Sequence, residues 1–145
     1  MKKYTSLITT LVLTIMVASF IKKQTEPWTP DQLMAPGDLA TIINDSTATK
    51  PLIIDIGPAG LIKGAVNIGA ANDKENLKNL KELLSKEKKD RQIVIYCGCC
   101  PFQRCPNIRP AFSLLNSMKF TNQKLLNLST NLKTDWINYG YPMNH

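Results

Sequence analysis

Two continuous apolar runs, "PLIIDI" (51–56) and "QIVIYC" (92–97), constrain the fold most. Neither alternates apolar with polar residues, so neither can turn a face to water. Each has to be covered on both sides, as strands of a parallel sheet flanked by helices are. "AVNIG" (65–69) and "QKLLNL" (123–128) supply further, shorter strand candidates. Helical patterns lie between them. "PGDLATIIND" (36–45) spaces Leu39, Ile42 and Ile43 on one face, and "NDKENLKNLKELLSKEKK" (72–89) does the same with Leu77, Leu80, Leu83 and Leu84. "NIRPAFSLLNSMKF" (107–120) offers Asn107 as N-cap, Pro110 in the first turn, and Ile108, Phe112, Leu115 and Met118 on one face. "NLKTDWINYGYP" (131–142) reads as a last short helix stopped by Gly140 and Pro142. This alternation predicts one α/β domain with a mainly parallel sheet of about five strands and helices on both faces.

The first 23 residues, "MKKYTSLITTLVLTIMVASFIKK", have a basic start and an uncharged, largely apolar run from Tyr4 to Ile21. They are expected to be an export signal or, at about 18 apolar residues, an N-terminal membrane anchor. The domain proper is expected over 24–145, beginning with a proline-punctuated tether, "QTEPWTPDQLMAP" (24–36), and a first extended segment near Trp28. The expected location is therefore the periplasm or cell envelope, with membrane contact only through that first segment. The formal charge of +7 includes four lysines, Lys2, Lys3, Lys22 and Lys23, that flank the apolar run. The densest charged stretch, "KEKKDR" (86–91), is mixed in sign and lies between a helix and a strand pattern. No basic stripe interleaved with aromatics is left for nucleic acid.

All four cysteines, Cys97, Cys99, Cys100 and Cys105, fall in "CGCCPFQRC". In a parallel sheet, reactive groups gather at the carboxyl ends of the strands. Cys97 follows "IVIY" directly and precedes a loop that runs into the helix beginning near Asn107. Unpaired N–H groups and the positive end of that helix favour thiolate there, and Arg104 and Arg109 add cationic charge. The only histidine, His145, is the last residue and is expected to be a bystander.

The order "LIIDI", "GAVNIG", "IVIYC" with loop and helix, "KLLNL" and "DWINYGYP" resembles a rhodanese-like domain over nearly everything after the export segment. Trp136, Gly140, Tyr141 and Pro142 match the W-x-x-x-G-Y-P closing pattern of that family. The resemblance implies a structural role for Asp55, a persulfide-carrying cysteine after the central strand, and a cradle of loop amides with an arginine around it. Departures are equally concrete. "DIGPAG" lacks the family's arginine, "GLIK" stands where Gly-His-Ile-Pro is usual, and the C-x-x-G-x-R-S/T loop is not reproduced. Counted from Cys97, its glycine falls on Cys100 and its arginine on Phe102. Counted from Cys99, Arg104 is in register, Cys105 replaces the hydroxyl residue, and Phe102 takes the glycine position. The strand end therefore nominates Cys97 and the loop register nominates Cys99. Neither satisfies the C-x5-R of the phosphatase branch.

The expected function is that of a sulfurtransferase or persulfide carrier with Cys97 or Cys99 as sulfur acceptor and Arg104 as anion stabiliser. Gly98, Cys100, Phe102 and Gln103 would line the substrate, and Cys100 or Cys105 would resolve the persulfide or close a disulfide. The partner would be a small sulfur donor or thiol, and no metal or organic cofactor is required. Three other readings stay open: a thiol–disulfide protein, for which Cys97-Gly-Cys-Cys100 gives one overlapped C-x-x-C match, a thiolate site for zinc or copper(I), and a structural domain whose cysteines only staple the loop. Against metal stands the cramped spacing, with all four ligands inside nine residues.

Overall fold

The computed structural model describes residues 25–144. The proposed export segment and His145 lie outside the described residues. The two apolar runs become β2 (Leu52–Asp55) and β4 (Ile93–Tyr96), which pair in parallel with Ile53 opposite Val94 and Asp55 opposite Tyr96. β3 (Ala65–Asn67) extends the sheet beyond β2, while β5 (Gln123–Leu126) and the short β1 (Leu33–Met34) extend it beyond β4. The result is an all-parallel, five-stranded sheet in the order β1-β5-β4-β2-β3, with β4 in the centre.

Side chains alternate across this sheet into two cores. On one side Ile54, Ile56, Ile93, Ile95 and Leu125 meet Leu80 and Leu84 of α2 (Lys74–Ser85), and Ile108, Phe112 and Leu115 of α3 (Ile108–Ser117). On the other, Ile53, Val94, Tyr96 and Leu126 meet Leu39 and Ala40 of α1 (Pro36–Asn44), and Leu132 of α4 (Leu132–Asp135) with the adjoining Trp136. Every residue of β4 is buried, so this strand holds its last peptide, and the residue after it, in the most rigid part of the fold. Among the described residues no helix is long and apolar enough to cross a membrane.

Three local expectations are corrected. The first strand is Leu33–Met34, not a segment near Trp28. Trp28 is instead a core residue, its ring 6.0 Å from that of Phe102 and 5.9 Å from that of Phe112. The supposed tether is docked from Glu26 onward: Arg109 Nη2 donates to Glu26 Oε1 at 2.6 Å and Asn116 Nδ2 donates to the Pro27 carbonyl at 2.7 Å. A large indole gains more by filling the gap over α3 than an extended segment gains from water. The last helical stretch is split, α4 ending at Asp135 before a 3-10 turn, Ile137–Tyr139, that Gly140 closes with φ 68°.

A prediction separates docked from tethered. Trp28→Ala should lower the unfolding free energy by about 3–5 kcal/mol, the cost of removing a packed aromatic, as read from urea denaturation. A change below about 0.5 kcal/mol, typical of a solvated surface position, would return the segment to the status of a tether.

Candidate functional site

Cys97 is the first residue after β4 and is 1% exposed. Its surroundings come from three elements at the carboxyl end of the sheet. From the loop after β2, Gly57 presses so closely that a Cβ there would lie 2.5 Å from Cys97 Sγ and 2.6 Å from its carbonyl oxygen. Asp55, at the end of β2, sets that loop: Oδ1 accepts from Gly57 N at 3.0 Å and Oδ2 accepts from Asn67 Nδ2 at 2.8 Å. From the start of α3, Asn107 Nδ2 donates to Cys97 Sγ at 3.2 Å.

The cysteine loop then folds back over the sulfur. Gly98 turns it with φ 69°, in a space where a Cβ would meet Ala59 and Leu132 at 2.8 and 2.9 Å. The Gly98 carbonyl accepts from Leu132 N, and Phe102 N donates to the Leu128 carbonyl. A 3-10 turn, Phe102–Arg104, with Phe102 sunk into the core, returns Cys105 to a buried position beside Cys97. The sulfurs of Cys97, Cys99 and Cys105 all lie within 4.8 Å of one another. Cys97 Sγ is 3.2 Å from Cys99 Sγ, which is 3.3 Å from Cys100 Sγ, and all four thiols are free.

These environments divide the thiols electrically. The Cys105 thiol first, then the Asn107 amide and the Cys99 side chain and backbone, direct hydrogen bonds at Cys97 and outweigh its burial, lowering its pKa to about 5. Cys99 is pushed up to about 12 by desolvation of a sulfur turned in against Cys97 and Cys100. Cys105 is pushed up as well, chiefly because its proton is held by Cys97 and then by burial. Cys97 is therefore a thiolate at neutral pH and its two neighbours are thiols. Asp55 is raised to about 7, mainly by burial, against the two hydrogen bonds it accepts, with the Cys97 thiolate adding to the rise.

Of the residues singled out in the sequence, Cys97, Cys99, Cys100 and Cys105 are brought together, with Gly98 forming the turn among them. Gln103 and Arg104 are exposed on the rim. Phe102, expected to line the substrate, is a core residue 4% exposed whose ring packs on Trp28. Arg109, expected to lend free charge, is held by Glu26 and by the Gln103 carbonyl. The expected ring of loop amides is also modified. The N–H groups of Phe102, Arg104 and Cys105 are spent on the carbonyls of Leu128, Pro101 and Phe102, so the donors at Cys97 are mainly side chains.

Asn107 is the functional residue that sequence reasoning misjudged. It occupies the N-cap position yet makes no side-chain cap, and Oδ1 instead accepts from Asn72 N at 3.1 Å while Nδ2 serves Cys97. The sign was present in the sequence. An N-cap side chain bonds the N2 or N3 N–H from an extended backbone; Pro110 at N3 has none to give, leaving only Arg109 at N2, and the helical dihedrals of Asn107 (φ −81°, ψ −29°) turn its side chain elsewhere.

Neither a scan of the sequence against family models nor a search of curated proteins finds a match.

Two predictions follow from this geometry. Gly57→Ala should destabilise the fold by about 1–3 kcal/mol, the range for overpacking, since both side chain and backbone of Cys97 stand in its way. Gly60→Ala, whose Cβ would meet only Met143 Cε at 3.4 Å, should change stability by no more than about 0.5 kcal/mol. Equal effects in urea denaturation would contradict the close approach. The second concerns pH. The raised Asp55 contributes stability that is complete below its unfolded pKa of about 3.9 and is lost as pH rises through about 7. Because the lowered Cys97 contributes a slope of opposite sign above about pH 5, the test is a difference: Asp55→Asn should make the urea midpoint rise more steeply with pH than in the unsubstituted chain up to about 7, and an unaltered slope would mean that Asp55 ionises as in the unfolded chain.

Proposed function

We propose that this protein is an exported, rhodanese-like sulfurtransferase or persulfide carrier in which Cys97 accepts sulfane sulfur. The observation that carries the reading is the Cys97 thiolate, fixed at the carboxyl end of the central strand by Asn107 and accompanied by protonated thiols. The five-stranded parallel sheet and the order of motifs that ends in Trp136, Gly140, Tyr141 and Pro142 support it. So does the basic, apolar leader, which suits an exported protein.

In the proposed reaction, the Cys97 thiolate attacks the outer sulfur of thiosulfate. A new S–S bond forms, the donor's S–S bond breaks, and sulfite leaves with the bonding pair. Cys97 is left as a persulfide anion. Asn107 Nδ2 and the Cys105 thiol, already placed on the Cys97 sulfur, offset the negative charge as it moves outward. Arg104 is exposed on the rim and has no ion-pair partner among the described residues, so it is free to meet the anionic donor. The neighbouring thiols then give the sulfur a way out: Cys99 attacks the inner sulfur of the protonated persulfide, a Cys97–Cys99 disulfide forms, and hydrogen sulfide departs. The 3.2 Å separation of the two sulfurs favours this step. It equally supports a second reading, in which the same pair simply exchanges electrons with an external dithiol.

Reduced full-length protein incubated with thiosulfate should gain the mass of one sulfur, removable by cyanide or excess thiol. Cys97→Ser should abolish the adduct, Cys99→Ser should prolong it, and Arg104→Ala should slow its formation by roughly 10-fold, less than the loss of a buried oxyanion donor costs. An adduct lost in Cys99→Ser but kept in Cys97→Ser would move the acceptor to Cys99. No adduct in any variant, together with a Cys97–Cys99 disulfide that cycles under mild reductant, would establish the thiol–disulfide reading instead.

A further inference from the structure

The short spacing of the cysteines argues against a metal cage only while the loop is imagined as extended. The 3-10 turn Phe102–Arg104 removes that objection, because burying Phe102 draws the chain inward and returns Cys105 to Cys97. Three sulfurs, from Cys97, Cys99 and Cys105, then lie mutually within 4.8 Å. A flat three-coordinate ion with metal–sulfur bonds of about 2.3 Å sets its sulfurs roughly 4 Å apart. The Cys97–Cys99 pair at 3.2 Å needs to open by less than an ångström to match.

We infer that Cys97, Cys99 and Cys105 form a three-coordinate thiolate site for a soft monovalent metal ion, with Cu(I) as the fitting ion. The inference stands on the cluster alone and does not depend on sulfur transfer. The donor set selects the ion: three sulfurs, with no histidine or carboxylate in the group, suit a soft cation that accepts few ligands. A closed zinc site takes four. Asp55 is not a fourth donor, since its oxygens accept from Gly57 and Asn67. Outer-shell support is in place, with the Asn107 side-chain amide donating to Cys97 Sγ at 3.2 Å.

The cluster also has a polarity. Cys97 and Cys105 are buried at 1% and 0% exposure, whereas Cys99 is exposed and stands 3.3 Å from the sulfur of the half-buried Cys100. An ion would meet Cys100 and Cys99 at the surface and pass inward by exchanging one thiolate for the next, each incoming thiol giving up its proton as its bond forms and the displaced Cys100 sulfur taking one up. Cys100 thus acts in transfer rather than in the final site.

The test is an anaerobic titration of the reduced full chain with Cu(I) held by a chromophoric competing chelator. One Cu(I) should be captured per chain, with thiolate-to-metal absorption in the near ultraviolet and X-ray absorption showing sulfur ligands only. Cys105→Ser and Cys99→Ser should each weaken capture by more than the roughly 100-fold that losing an outer-shell partner costs. Cys100→Ser should slow capture yet leave its strength within about 10-fold. Because Cys105 is buried, the exposed Cys99 position keeps the test valid if Cys105→Ser does not fold. The inference is overturned by failure to capture Cu(I), or by capture undiminished in Cys99→Ser. It is also overturned if zinc is held as a four-sulfur site that is lost in Cys100→Ser.

Discussion

One buried amide holds the functional end of the molecule together. Asn107 is 4% exposed, and a polar side chain so placed must find partners or destabilise the fold. It finds them in two directions, accepting from Asn72 N ahead of α2 and donating to Cys97 Sγ at the end of β4. The start of α3, the approach to α2 and the central strand are thereby fixed to one another through a single side chain. The loop from Gly98 to Pro106 closes over a floor that cannot shift without breaking one of these bonds.

That floor explains how four chemically identical side chains acquire different characters. Cys97 receives hydrogen bonds and is lowered to about 5, whereas Cys99 is raised to about 12 by its desolvation and then by the bond it gives to Cys97. Among the described residues there is no histidine to serve as a base. In the proposed sulfur transfer, the work usually given to a catalytic base would be done by donors already aimed at the sulfur, so Cys97 would need no proton transfer at the moment of reaction. The Asp55 carboxyl is the counterpart: its burial and the nearby thiolate keep it partly protonated near neutrality, which limits the negative charge packed beneath the loop.

Much of this architecture was legible in the sequence because periodicity reports burial. Unbroken apolar runs meant strands covered on both faces, and the leucine spacing from Leu77 to Leu84 meant a helix packed on one side. The position of Cys97 followed from those two facts. What escaped were decisions made by tertiary packing. Trp28 sits among prolines and reads as part of a first extended segment, yet a ring in reach of Phe102 and Phe112 is drawn into the core. Phe102 reads as a substrate-lining loop position, whereas its burial is what bends the loop. Arg109 was counted as free charge, and Glu26, 83 residues away in sequence, neutralises it. Asn107 reads as a local cap by its place before a helix, and Pro110, which removes the N3 donor, is the one hint otherwise.

The central claim is that the fold makes Cys97 a thiolate while Cys99 and Cys105 keep their protons. It is tested most directly by NMR of the reduced protein with 13C-labelled cysteine Cβ, following each of the four sites as pH is raised. The account predicts that the Cys97 resonance titrates with a midpoint near 5 and that Cys99 and Cys105 remain protonated through neutrality. Titration of Cys99 or Cys105 below Cys97, or a Cys97 midpoint at the ordinary thiol value of about 8.5, would contradict it.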